Sequence, residues 1–174
     1  MEGHISSLTP EARLFPLVRQ CMDAFMVDQG YRWKASNYVK QMTPDICVMI
    51  RPMIMPPVTA GCLHIRWLLY VYSDSVAGTI FNYTGKPHEG KCVIAYEISR
   101  FEGPLNMRLW TLCATDDVTD MCDDVKSCMN QHVFPFVNSL DDVAAILSRL
   151  RANPTLNQAA PVRTLEWISR LEGR

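Results

Sequence analysis

The chain has 174 residues, of which 48% are hydrophobic and 20% are charged, and its formal net charge is -1. These values exclude a disordered or fibrous chain and fit one globular domain over residues 1–174, large enough to fold without a metal or a disulfide. Because 17 Lys and Arg nearly balance 18 Asp and Glu, the chain lacks the basic excess typical of nucleic-acid-binding proteins. We therefore expect no nucleic acid as a partner, although a local basic patch is still compatible with these totals.

The first residues, Met1-Glu2-Gly3-His4-Ile5, do not have the basic segment and apolar run of a secretory signal. No stretch approaches the roughly 20 apolar residues of a membrane-spanning helix. The seven cysteines are scattered singly and form no CxxC pair, whereas a secreted disulfide framework shows an even number at regular spacings. We expect a cytoplasmic protein with no membrane partner, whose cysteines are buried, reduced thiols.

A first helix is predicted after Thr9-Pro10-Glu11, which combines an N-cap, a proline in the first turn and an acid near the positive end of the helix dipole. Apolar residues then recur at helical spacing as far as residue 26. Pro16 lies inside this pattern and indicates either that the helix begins there or that it kinks there. Gly30 is a typical helix C-cap.

The middle of the chain predicts strands. They are expected over residues 37–42, 45–55, 62–72, 77–83, 91–101 and 107–114. Residues 62–72 alternate most clearly, because every odd position is apolar: Leu63, Ile65, Trp67, Leu69 and Val71. This period of two places the odd positions on a core and the even positions on a more polar face. Pro52 favours an edge strand or a bulge.

The pattern becomes helical after residue 115. Thr115-Asp116-Asp117-Val118 and Ser139-Leu140-Asp141-Asp142 are N-cap signals for two helices, Pro135 ends or bends the first of them, and Pro161 begins a third. Strands follow strands and helices follow helices along the chain. The expected fold is therefore α+β, with a mostly antiparallel sheet of five or six strands, one N-terminal helix and three C-terminal helices.

No catalytic or cofactor motif is present: the chain has no GxSxG, HExxH, P-loop or GxGxxG sequence. Cys128 and His132 are spaced to share one helix face, but two ligands are too few for a zinc site. We predict no catalytic residues, no cofactor and no metal, and we favour a binding protein over an enzyme.

One helix concentrates negative charge. Its acids are Asp116, Asp117, Asp120, Asp123 and Asp124. Such a face can steer a basic protein partner. The alternative is that these acids complement the helix dipole and are otherwise solvated.

Three other features stay open as alternatives. The even positions His64, Arg66, Tyr70 and Tyr72 are candidates for a ligand pocket, with Arg66 as anion anchor and His64 as acid–base group. The last helix, with apolar Leu165, Trp167 and Ile168, either docks onto a partner or closes its own core, and we favour the core. Aromatic and basic residues interleave in Gly30-Tyr31-Arg32-Trp33-Lys34; this pattern can bind bases and phosphates, but we favour Tyr31 and Trp33 packing on the sheet while Arg32 and Lys34 face water.

Several short motifs also suggest a family. They are Gly30-Tyr31-Arg32-Trp33-Lys34, Asn37-Tyr38-Val39, Leu109-Trp110-Thr111, Phe134-Pro135-Phe136-Val137 and Ser139-Leu140-Asp141-Asp142. Over residues 10–150 this layout resembles an uncharacterised bacterial family of small α+β domains, whose members are suspected immunity proteins that neutralise polymorphic toxins. The resemblance implies a cytoplasmic binding protein and transfers no catalytic residue. Our leading hypothesis is an immunity or antitoxin protein whose acidic helix occludes a basic surface of a toxic effector.

Overall fold

The structure, a computed structural model, describes residues 9–81, 92–103, 105–157 and 161–172. It confirms the α+β class. The helices are α1 (Pro10–Asp28), α2 (Asp74–Phe81), α3 (Val118–Cys128), α4 (Phe134–Asn138), α5 (Val143–Ala152) and α6 (Pro161–Glu172). The strands are β1 (Arg32–Lys34), β2 (Asn37–Gln41), β3 (Ile46–Met55), β4 (Cys62–Ser73), β5 (Ile94–Glu97) and β6 (Trp110–Cys113). None of the helices described is long and apolar enough to cross a bilayer.

All six strands belong to one sheet in the order β1-β2-β3-β4-β5, and β6 also pairs with β4. Every pairing between these strands is antiparallel. Along one edge β4 pairs with β3, and along the other edge its first residues pair with β6 and its later residues with β5. Strand β4 is therefore the centre of the sheet.

The odd positions of β4 lie in the core, as their alternation predicts. Leu63, Ile65, Trp67, Leu69 and Val71 are all buried. The helices α1 and α3 pack on this side through Val18, Met22, Cys122 and other apolar residues of the same core cluster. The even positions of β4 consequently lie on the side of the sheet opposite α1 and α3.

Helix α1 begins at Pro10, so the alternative in which it begins at Pro16 is wrong. It ends as predicted at Gly30, which has a φ of 81°. The Gly30 amide donates to the Val27 carbonyl and the Tyr31 amide to the Met26 carbonyl, which is the hydrogen-bond pattern of a Schellman cap. Only glycine adopts this left-handed conformation without a steric cost from Cβ.

Gly30→Ala should therefore lower the free energy of unfolding by about 1 kcal/mol. Gly103→Ala is a matched control, because Gly103 has no positive φ and no atom within 4 Å of its added Cβ. Chemical denaturation of both variants measures the effect. An equal change in the two would contradict a role for the backbone conformation at Gly30.

Residues 77–81 form the end of α2, so the prediction of a strand over residues 77–83 is wrong for them; residues 82–83 lie outside the described part of the chain. The helix is capped by hydrogen bonds. The Val76 amide donates to Ser73 Oγ, and the Ser75 amide donates to Asp45 Oδ1. Asp45 is 30 residues before Ser75 in the sequence. A local sequence pattern therefore cannot reveal its contribution to the cap.

Two prolines fall in regular elements. Strand β3 keeps an unbroken register to β4, so the bulge expected at Pro52 is wrong, but Pro52 lies beyond the ladder with β2, on a local edge of the strand, as the other alternative predicts. The proline is accommodated because β2 pairs only with Cys47 to Ile50, which leaves the β2 side of Pro52 outside that ladder. Pro135 follows a π-helical turn, Met129–Val133, that joins α3 to α4, and such turns are common causes of helix bends.

The expectation that all cysteines are reduced is wrong for one pair. Cys62 of β4 and Cys113 of β6 are directly opposed in the sheet, with their Cα atoms 4.1 Å apart, and form a disulfide. The two residues are 51 positions apart in sequence, so only strand pairing reveals their proximity. The remaining cysteines are free, as predicted: Cys21, Cys47, Cys92, Cys122 and Cys128.

This disulfide closes a loop of 51 residues, and the chain-entropy relation gives it about 4 kcal/mol of stabilisation. A reductant should therefore lower the urea midpoint of the oxidised protein. The variant Cys62→Ala/Cys113→Ala is the control, since its midpoint should not respond to reductant. A wild-type midpoint that also stays constant would show that the bond does not stabilise the fold.

Candidate functional site

A cleft of about 610 Å³ lies between β6 and the beginning of α3. Four of the five acids predicted to bind a partner line it: Asp116, Asp117, Asp120 and Asp124. Arg108 and Trp110 form part of the opposite wall. We refer to this site as the acidic cleft.

Two of the acids fix the turn from β6 into α3. Asp116 accepts a hydrogen bond of 2.6 Å from the Cys113 amide. Asp117 is the N-cap of α3 and accepts a 2.8 Å bond from the Thr119 amide. That bond lowers the pKa of Asp117 below its usual value, because it stabilises the ionised form. Both carboxylates therefore hold the local backbone while remaining exposed on the cleft surface.

Asp124 anchors the opposite wall to the helix. It accepts a 2.8 Å hydrogen bond from the indole nitrogen of Trp110, whose side chain is buried, and forms an ion pair with Arg108. The Arg108 guanidinium also lies 5.4 Å from the centre of the Trp110 ring and 3.8 Å from Glu102. The one cation in the cleft lining is thus held by carboxylates of the protein itself.

Asp120 and Asp123 occupy different positions on α3. Asp120 is exposed in the cleft, with no hydrogen bond or ion pair to another described residue. Asp123 does not line the cleft and instead pairs with Lys126 at 3.0 Å on its own helix. The structure therefore gathers four of the predicted acids and separates Asp123 from them.

The chemistry of the acidic cleft is that of a cation receptor. Four carboxylates face one guanidinium that is already neutralised, so the field in the cleft is negative. Its lining contains no histidine or cysteine to act as a nucleophile or proton shuttle. Among the described residues, no group of three or more His, Cys, Asp or Glu side chains is arranged to hold a metal. Such a lining is electrostatically complementary to a cationic group.

The structure gives His64 a structural role. Its ring is buried, with Nε2 accepting a 3.1 Å bond from the Thr59 amide and Nδ1 lying 2.9 Å from Thr111 Oγ1. Since Nε2 accepts, the neutral ring carries its proton on Nδ1 and donates to Thr111. Both ring nitrogens therefore join the chain before β4 to β6, and neither is directed at a ligand.

The other residues of the alternative pocket lie on the same side of the sheet. Arg66 is 3.8 Å from the buried carboxylate of Glu97, and Tyr70 and Tyr72 are half-buried. Neither the acidic cleft nor a second cleft of about 660 Å³ beside α1 and β1 includes any of these residues. The structure thus places them on one face without gathering them around a described cavity.

Two further expectations are met. Tyr31 is buried and Trp33 packs on the core, whereas Arg32 and Lys34 are exposed. In α6, Trp167 and Ile168 are buried and Leu165 is 52% exposed, so most of the described apolar surface of this helix already packs within the chain.

Sequence reasoning missed Arg108 and Trp110. A buried indole N–H needs an acceptor, and this requirement is the one sequence signal that Trp110 provides. It does not identify Asp124 among the many acids that follow, because the pairing depends on how α3 crosses β6.

No protein-family model matches the chain, and neither a curated protein nor a solved structure matches it. The site's own chemistry therefore carries the functional argument.

The two kinds of cleft acid should respond differently to truncation. Asp124→Ala leaves the buried Trp110 N–H without an acceptor and should lower the free energy of unfolding by about 1–3 kcal/mol. Asp120→Ala removes no described contact and should change it by less than about 0.5 kcal/mol. Urea denaturation followed by tryptophan fluorescence measures both, and equal losses would contradict the assigned Trp110–Asp124 bond.

Proposed function

We propose that the chain is a cytoplasmic, non-catalytic binding protein, and that it acts as an immunity or antitoxin protein that occludes a basic surface of a toxic effector. The single observation that carries this proposal is the acidic cleft, where carboxylates outnumber cations four to one. The resemblance of residues 10–150 to suspected immunity proteins supports the same function.

The acidic cleft acts in two stages in this proposal. Its negative field first attracts the basic surface of the effector and raises the rate of encounter. A Lys or Arg of the effector then enters the cleft and pairs with Asp120, the exposed acid that has no described partner. The body of the protein covers the effector's active surface, so inhibition requires no chemical step.

A cytoplasmic location is supported by the five free cysteines, three of which are buried. The Cys62–Cys113 disulfide is an exception to this pattern, since such bonds are rare in reducing compartments. The register of β4 with β6 still places these residues opposite each other, so the cleft beside β6 does not depend on the covalent bond for its position.

The alternative of a ligand pocket at His64 and Arg66 is less well supported, because both nitrogens of His64 are engaged within the chain.

Asp120→Lys should slow association with the effector about tenfold at low salt, since it places a cation in the cleft. Asp123→Lys is the matched control: it makes the same charge change on an exposed acid of the same helix, outside the cleft. The tagged wild type and both variants are used as baits in cells of the native host, and co-purified proteins are quantified by mass spectrometry. Association rates with the recovered protein are then measured by surface plasmon resonance.

The proposal expects one basic protein that wild type and Asp123→Lys retain equally and that Asp120→Lys retains in smaller amount. This protein should be toxic when expressed alone and harmless when co-expressed with the wild-type chain. A partner that all three baits retain equally, or a partner whose activity the chain does not block, would refute the proposed role of the cleft.

A further inference from the structure

The side of the sheet opposite α1 and α3 carries a second feature, which we call the open sheet face. It is formed by the even positions of β4 and by the residues that the strand register places on the same side of β1, β2, β3 and β5. Its apolar and aromatic side chains are mostly half-buried, and the cations of β1 and β3 are exposed. Solvent therefore reaches this face.

The described charges of the open sheet face are strongly unbalanced. Its cations are Arg32, Lys34, Arg51 and Arg66, whereas Glu97 is its one described acid and is buried beside Arg66. The register places Arg32 opposite Val39, Val39 opposite Met49, and Met49 opposite Tyr70. With strands about 4.8 Å apart, these cations extend over roughly 15 Å from β1 to β4.

Two tyrosines lie at the β4 end of this row of cations. Tyr70 and Tyr72 are two residues apart on β4 and therefore project to the same side of the sheet, about 7 Å apart along the strand. Burial raises the pKa of Tyr72 to about 12, and Arg51 opposes the rise in both tyrosines. Both rings therefore remain uncharged at physiological pH, and Arg51, which is opposite Leu68 in the register, shares their side of the sheet.

We propose that the open sheet face binds single-stranded nucleic acid. Tyr70 and Tyr72 stack against unpaired bases, and Arg32, Lys34 and Arg51 contact the phosphates. A sheet face that carries aromatic rings beside a row of cations provides both contacts that such a ligand requires. The chain's balanced total charge conceals this patch, because the cations come from three strands that are separate in sequence.

An acidic protein surface is the competing ligand for the same cations. Charge alone does not distinguish it from a nucleic acid. The two half-buried tyrosine rings, at successive positions on the same face, do distinguish the two ligands. Every base stacks on an aromatic ring, whereas a carboxylate gains little from contact with a ring face. The tyrosines therefore favour nucleic acid as the ligand of the open sheet face, and substituting them tests this assignment.

The test is fluorescence anisotropy of the full chain with labelled oligo-dT and oligo-rU of about twelve nucleotides, within the range of 4–16 for one such site. Arg51→Glu should weaken binding and lower the slope of log Kd against log salt by about 0.7 or more. Tyr70→Leu and Tyr72→Leu should each weaken binding about tenfold with an unchanged salt slope. Arg13→Glu is the control, because Arg13 is an exposed cation of α1 on the opposite side of the sheet.

The proposal expects the protein to bind single strands more tightly than duplex, and it expects Arg13→Glu to bind with wild-type affinity. Circular dichroism checks that all variants are folded. Poly-glutamate serves as the competitor that represents an acidic protein. The proposal is overturned by the absence of binding at low salt, or by equal weakening in Arg51→Glu and Arg13→Glu. It is equally overturned if the tyrosine variants bind like wild type and poly-glutamate displaces the oligonucleotide as well as unlabelled oligo-dT does.

Discussion

The pairing of β4 with three other strands is the constraint on which the rest of the structure depends. Its register with β3 is unbroken over ten residue pairs, from Ile46–Ser73 to Met55–His64. Because side chains alternate along a strand, a slip of one residue would exchange the buried and open faces. The apolar odd positions of β4 prevent that slip, since Trp67 and its neighbours would leave the core. The positions of the open sheet face and of the disulfide both follow from this register.

The fold separates charges that nearly cancel in the sequence. Acids of α3 line a cleft beside β6, and cations of β1, β3 and β4 share the open sheet face. Although the formal net charge is only -1, the described residues form a negative surface and a positive surface. Net charge limits what the molecule as a whole attracts, but the surfaces that a partner meets depend on strand register and helix placement.

Local patterns were sufficient where the determining residues are close in sequence. The alternation of β4, the glycine cap at Gly30 and the Asp142 N-cap of α5 all involve neighbours within a few positions. The sequence was misleading at α2, where apolar and β-branched residues suggested a strand while Asp45, from another part of the chain, helps cap a helix. The disulfide and the Trp110–Asp124 bond likewise join residues that only the folded sheet brings together.

The acidic cleft combines acids that serve the fold with one that does not. Asp116 and Asp117 hold the turn into α3, and Asp124 satisfies the Trp110 indole. Their negative field is thus a consequence of local backbone and side-chain requirements, and it would exist without any partner. Asp120 alone among the four has no described structural contact. Asp120 is therefore the position where a substitution alters the charge of the cleft while the structural bonds of the three other acids maintain its shape.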